Sequence, residues 1–348
     1  MKTTSLGESG LEIPIITLGT MTWGQQNTEE EAHEQLDYAV DERGIKFLDS
    51  AEMYPVFPEK SKQGRTETYI GNWLKKRGKR DHLIIASKVS PTSLMQTRKQ
   101  SSPPRLDRDN IRRAIDGSLE RLQTDYLDLY QVHWPERTTN FFGVRGVQDI
   151  KDEQTTPIEE TLDAIAELQK EGKIRHIGIS NETPWGMNEY LRLAREKVLP
   201  KIVSIQNQYS LTNRTYEIGL SEISLRENVA LLAYSVLNMG VLTGKYLDGA
   251  RPEGARFTIF DRNSGRYNPP EAQEAIRRYV ELAKENNLDP ATMAIAFACQ
   301  QPFVSSVIIG ATNLDQLKVC IDAGEVELSQ DVLDGIEKIH EEIPDITN

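Results

Sequence analysis

The sequence predicts an α/β fold, a closed (β/α)8 TIM barrel, in a single domain over residues 1–348, and three observations carry that prediction. Short apolar runs alternate with amphipathic helical patterns along the whole chain. The runs are almost continuously hydrophobic rather than alternating, as expected of a parallel sheet covered on both faces. The turn after the first run, Gly19-Thr20-Met21-Thr22-Trp23-Gly24, lacks the Gly-x-Gly-x-x-Gly spacing that a doubly wound open sheet would place there.

In order, the chain begins with two extended segments within residues 3–13, followed by a first strand at 15–19. A helix over 28–42 is opened by Thr28 as N-cap with Glu31 three residues later, the capping-box spacing. The other strands are 46–49, 83–88, 127–133, 174–180, 203–208, 230–235 and 306–310, which makes eight. Between them lie helical patterns at 67–77, 109–122, 158–171, 185–197, 216–228, 272–287, 290–300 and 314–323, giving a barrel with a C-terminal helix. Two stretches break the rhythm, 135–157 after the fourth strand and 238–270 after the seventh. Both follow strand C-termini, the face on which such barrels build their sites.

Composition narrows the function classes. A formal charge of −12 without a strong basic block argues against nucleic acid, whose phosphates need a positive field. The basic stretches 75–80 and 105–113 read as solvated helix faces. Two cysteines, Cys299 and Cys320, make neither a disulfide framework nor a metal-ligand spacing. The N-terminal residues lack an apolar signal core and no run approaches a membrane span, so a cytoplasmic location is expected. The sequence carries no signal for oligomeric state.

The chemistry is concentrated at strand ends. Asp49, Lys88 and His133 close the second, third and fourth strands, and Tyr54 follows Asp49 on the next loop. Neighbouring strands lie about 4.8 Å apart, so these four side chains share one rim. Asp49 and Lys88 could form a structural ion pair alone. Alternatively, an ammonium beside a phenol favours the phenolate and tunes Tyr54 for proton transfer, with His133 holding a carbonyl oxygen or relaying the proton. No spacing suggests a metal site or a Gly-x-Ser-x-Gly elbow. Ser180, Asn181 and Gln206 at the next strand ends offer hydroxyl and amide partners, and Tyr234 an aromatic face, a set suited to a ring bearing a carboxamide. Gly240 to Lys245 and Gly310 to Thr312 place glycines and a cation after the last two strands, the usual phosphate site of a barrel. Gly240 to Lys245 is no P-loop: three residues instead of four separate the glycines, and Tyr246 stands where Ser or Thr would bind magnesium.

The motifs Asp49-Ser-Ala-Glu-Met-Tyr54, Ala86-Ser-Lys88, Leu127-Asp-Leu-Tyr-Gln-Val-His133-Trp-Pro, Gly178-Ile-Ser-Asn181, Tyr234-Ser235, Leu242-Thr-Gly-Lys-Tyr246 and Ile309-Gly-Ala-Thr312 with Gln316 resemble the aldo-keto reductase superfamily over nearly the whole chain. Glu52-Met-Tyr-Pro55 and Gln131-Val-His-Trp-Pro135 look most like its bacterial Tas-type members. The resemblance implies NADPH-dependent reduction of an aldehyde or ketone, a small-molecule carbonyl substrate, without metal, nucleic acid or membrane. Tyr54 would be the general acid, Lys88 and Asp49 its tuning pair, and His133 the group orienting the carbonyl. Gly19, Thr20, Met21, Asp49, Ser180, Asn181, Gln206, Tyr234, Ser235, Leu237, Gly240, Leu242, Lys245, Arg256, Gly310, Thr312 and Gln316 would bind cofactor. Trp23, Trp134, Phe141 and Phe142, with Tyr54, would wall the substrate. The sequence departs from the family pattern at Val236, Asn238, Val319 and Cys320, and Thr312-Asn313 offers no arginine for a 2′-phosphate. The alternative reading is an NADPH-binding sensor with little turnover, as in channel-associated members.

Overall fold

Two short strands, β1 (Thr3–Ser5) and β2 (Glu12–Pro14), pair antiparallel ahead of the barrel. The barrel strands are β3 (Ile16–Gly19), β4 (Phe47–Asp49), β5 (Ile84–Val89), β6 (Leu127–Val132), β7 (Ile174–Ser180), β8 (Ser204–Gln208), β9 (Ala230–Tyr234) and β10 (Val304–Ile309). They are all parallel and close in ring order, β10 returning to pair with β3. This is the (β/α)8 architecture expected from the alternation of apolar runs and helices. The computed structural model describes residues 1–56, 59, 61–91, 105–150, 153–260 and 264–347.

The main helices are α1 (Glu29–Asp37), α2 (Arg65–Arg77), α3 (Arg108–Leu122), α4 (Ile158–Lys170), α5 (Pro184–Lys197) and α6 (Leu220–Glu227). After β9 come two four-residue helices, α7 (Arg256–Ile259) and α8 (Ser264–Tyr267), then α9 (Gln273–Glu285) and α10 (Pro290–Cys299). After β10 come α11 (Leu314–Asp322) and α12 (Gln330–Glu342). Helix starts follow their capping chemistry. Thr28 and Glu31 form the expected reciprocal capping box at α1, and Asp107, Thr183, Asp289, Asn313 and Ser329 each accept a backbone N–H from the first turn of their helix. The helix expected over 28–42 ends at Asp37 and continues as a wider π turn to Glu42, and the one expected from residue 216 starts at Leu220. The last helix is the amphipathic α12, a C-terminal helix for which the sequence reading sets no range.

The apolar residues divide into two clusters. The larger fills the space between strands and helices, while Leu6, Ile13, Phe47, Ile84, Leu129, Val203 and Leu232 pack inside the barrel at the N-terminal ends of its strands. The β1–β2 hairpin, through Leu6 and Ile13, therefore stoppers that end. Close approach fixes glycine at two places. A Cβ on Gly71 of α2 would sit 2.1 Å from the Arg121 carbonyl oxygen of α3, and one on Gly178 would meet Ser204 Oγ at 2.6 Å and Gln131 Cγ at 3.0 Å inside the barrel.

The basic stretches differ in part from their sequence reading. Arg108 and Arg112 do lie on a helix face, paired with Asp163 and Glu167 of α4 and with Glu171 just past its end. Arg80 instead reaches the buried Asp128, which Arg175 also engages, and the two guanidiniums flank the Tyr126 ring at 3.9 and 4.3 Å. A carboxylate at the strand start of β6 had to be paired to be buried, and these arginines supply the pairing.

Candidate active site

The strand register brings the site together. Asp49 lies beside Ala86, Lys88 beside Gln131, Gln131 beside Gly178, and Ser180 beside Gln206. Lys88 is completely buried and its Nζ donates to Asp49 Oδ2 at 2.7 Å, to the Ser50 carbonyl at 2.7 Å and to Tyr54 Oη at 3.3 Å. The second oxygen of Asp49 accepts from Gln206 Nε2 at 2.8 Å and Gln131 Nε2 at 3.2 Å. Every donor of the ammonium and both carboxylate oxygens are thus engaged, the condition under which a buried ion pair is tolerated. Tyr54 meets the edge of the His133 ring, centroids 5.7 Å apart, and His133 Nδ1 lies 2.9 Å from Ser90 Oγ.

Burial sets the protonation states. It holds the Tyr54 phenol well above its ordinary value, with the Asp49 carboxylate adding to the rise and Arg256 opposing it. The lowering expected from the adjacent ammonium is therefore outweighed, and Tyr54 carries its proton at neutral pH. Burial lowers Lys88, against the pull of Asp49. His133 is held well below the usual histidine range by burial and by the Lys88 ammonium, so its ring is neutral.

Asp49, Tyr54 and His133, with Lys88 beneath them, form the floor of a cavity of about 1130 Å³ that opens at the C-terminal face of the barrel. Gly19, Thr20, Met21, Asp49, Tyr54 and His133 line it from β3 through the end of β6, and Ser180, Asn181, Gln206, Tyr234, Ser235, Leu237 and Gly240 continue the wall. Lys245, Arg256, Gly310, Thr312 and Gln316 bound its far arm, together with Val319 and Cys320. Trp134, Phe141 and Phe142 line the near end, where Trp134 packs on His133 at 4.7 Å and on Phe142 at 5.4 Å.

Two sequence-predicted site residues lie elsewhere. Trp23 is fully buried in the helix–strand core, with Nε1 donating to Gln35 Oε1, so it does not wall a substrate. Leu242 is likewise a core side chain. Lys88 lies beneath the cavity floor and acts on it through Asp49 and Tyr54. Conversely, Met53, Val56, Arg266 and Tyr267 line the cavity without having been singled out, and Gln131 and Ser90 support its floor. Gln131 and Ser90 had a legible signal, each sharing the period-two face of a named inward residue, Leu129 and Lys88.

The amide groups form a built network. Ser180 Oγ donates to the Gln206 carbonyl at 2.7 Å, Asn181 Nδ2 donates to Ser180 Oγ and to the His133 carbonyl, and Tyr234 Oη donates to Asn181 Oδ1 at 2.5 Å. Beyond Tyr234 the backbone turns tightly, with left-handed φ at Ser235, Asn238, Met239 and Gly240. A Cβ on Gly240 would lie 2.7 Å from Lys245 Nζ, so only glycine lets the ammonium fold against this turn. Turned backbone amides beside a cation suit a phosphate. The cavity thus offers an aromatic face and amide groups near Tyr54, and an anion cradle further along.

The loop after β6 is pinned at both ends. Glu136 accepts from Arg105 Nε, Leu106 N and Thr156 N, and Arg137 grips the buried Glu182 through both its Nη atoms. Arg145 donates to the carbonyls of Asp345 and Thr347, and Thr347 meets Thr212 and Asn238.

The aldo/keto reductase family model matches residues 15–341. Protein tas of Escherichia coli strain K12 is 55% identical over 333 residues, covering 96% of each chain. An aldo-keto reductase of Babesia bovis is 38% identical over 250 residues, covering 68% of this chain and 87% of its own. A Schizosaccharomyces pombe protein, described provisionally as a voltage-gated potassium channel subunit beta, is 28% identical over 346 residues, covering 96% of this chain and 92% of its own.

Proposed function

The chain belongs to the aldo/keto reductase family of oxidoreductases, and from that premise we propose that it reduces the carbonyl of aldehydes or ketones to alcohols with NADPH, Tyr54 acting as general acid. The observation that carries the reading is the Tyr54 hydroxyl, protonated, 3.3 Å from Lys88 Nζ and facing His133 at the floor of a cavity large enough for dinucleotide and substrate.

Ser180, Asn181 and Gln206 would hold the carboxamide, Tyr234 the ring face, the turn from Ser235 to Gly240 with Lys245 and Arg256 the phosphates, and Gly310, Thr312 and Gln316 the adenosine half. A reduced nicotinamide held by these residues would supply the hydride for the carbonyl carbon. Tyr54 delivers a proton to the oxygen as negative charge develops there, and its phenolate is stabilised at that moment by the Lys88 ammonium. Asp49 keeps Lys88 charged and aimed. Trp134 and Phe142 exclude water from one side of the substrate. A cytoplasmic location is part of the same proposal; among the described residues no helix is long and apolar enough to cross a membrane.

The test is direct titration of the protein with NADPH and with NADH, followed by cofactor fluorescence, then addition of small aldehydes while the reduced nicotinamide is monitored. Binding with turnover is expected. Binding without turnover on any carbonyl would favour the sensor role, and no binding of either nucleotide would overturn the reading.

A further inference from the structure

We propose that Ser90 is a positioning residue that selects the tautomer of His133, so that the imidazole presents Nε2–H to the substrate's carbonyl oxygen; the functional half of this rests on the reaction proposed above. Ser90 is the first residue after β5, two beyond Lys88, and three contacts fix where its hydroxyl lies. Ser90 N donates to Glu52 Oε1 at 2.8 Å, Glu52 N donates to the Lys88 carbonyl at 3.3 Å, and His133 N donates to the Val89 carbonyl at 2.9 Å. The loops after β4, β5 and β6 are thereby locked together, and Ser90, Glu52 and His133 are all buried. The result is Ser90 Oγ at 2.9 Å from Nδ1.

A neutral imidazole carries one N–H, and a hydroxyl can either donate or accept. With Ser90 donating, Nδ1 is the acceptor and Nε2 carries the hydrogen. With Ser90 accepting, Nε2 is a bare lone pair. Among the described residues Nε2 has no hydrogen-bond partner, and His133 lines the cavity, so this nitrogen is the one left for a ligand. A carbonyl oxygen offers only lone pairs. Opposite a bare Nε2 it would be repelled, and that nitrogen would compete with the substrate for the Tyr54 proton. Only the first arrangement places two donors, Tyr54 and His133, on one oxygen. A backbone carbonyl in place of the Ser90 hydroxyl would enforce the wrong tautomer; a hydroxyl permits the right one.

The test uses the full chain labelled with 15N-histidine and long-range 15N–1H correlation of the imidazoles, with the His133 signals identified by their loss in His133→Asn. The expected pattern is neutral with Nε2–H, in the free protein and with NADPH added. Ser90→Ala is expected to lose that preference and to lower kcat/KM for a small aldehyde about tenfold, the factor one hydrogen bond typically commands, while Ser90→Thr restores both to within about twofold. An Nδ1–H pattern in the wild type, or a Ser90→Ala variant unchanged in tautomer and kcat/KM, would overturn the proposal. Should Ser90→Ala not fold, the wild-type spectrum and Ser90→Thr still decide it. An Nε2–H pattern that depends on Ser90 in a protein without turnover would sustain the assignment of the tautomer while removing the reaction.

Discussion

Lys88 Nζ stands 3.3 Å from Tyr54 Oη while Asp49 holds the same ammonium at 2.7 Å, so the proposed acid and its electrostatic support are separate groups with one shared contact. Removing the phenol should therefore leave the pair intact. Tyr54→Phe is expected to lower carbonyl reduction by on the order of a thousandfold, the range of a lost general acid. Its NADPH affinity, read by fluorescence titration, is expected to stay within about twofold of the parent.

Lys88 is expected to show itself in the pH dependence of reduction. The proposed reduction needs the protonated phenol, and the ammonium favours the phenolate. Lys88→Met removes that influence, so the alkaline fall in rate should move to higher pH while the maximal rate drops about a hundredfold. A pH–rate profile whose alkaline limb stays in place would reduce Lys88 to a structural partner of Asp49.

His133 couples stability to mild acid. Its folded-state pKa lies well below 6.5, whereas in the unfolded chain it titrates near that value. The unfolded state therefore binds the extra proton, and stability present above pH 6.5 is lost as pH falls toward the folded value. The loss reaches at most about 1.4 kcal/mol per pH unit for this one group. Denaturant unfolding of wild type and His133→Asn across this window should give a shallower slope for the variant.

Gly71→Ala is expected to destabilise by about 2–3 kcal/mol, because the new methyl group meets backbone that cannot swing aside. The midpoint of denaturant unfolding measures it.

Arg137→Ala leaves the buried Glu182 without its bidentate partner, though Thr183 N still donates to it. A cost of about 2 kcal/mol is expected, below that of orphaning a carboxylate entirely. Because the contact joins the loops after β6 and β7, KM for aldehydes should rise more than kcat falls.

The strands and most helices were legible because burial on both faces leaves continuous apolar runs, and because capping chemistry at Thr28 is local. The grouping of Asp49, Lys88 and His133 was legible because parallel strands put their C-terminal ends on one rim. Trp23 was misplaced since a side chain in a turn can face either way, and its polar edge found Gln35 in the core. Arg80 was misjudged because its partner, Asp128, is distant in sequence. Arg266 went unseen for the same reason: the contacts that place it, to Gln208 and over Phe142, join segments far apart in the chain.

The hairpin that stoppers the N-terminal end of the barrel gives the molecule a practical polarity. The chemistry opens at one pole and the first residues emerge at the other, with Met1 on the surface near Glu325. A chain anchored to a resin or fused to a carrier through its first residue would keep its mouth turned outward. An attachment through Asp345 or Thr347 would instead pull on Arg145 and Asn238, and so on the loop after β6 and the turn after β9.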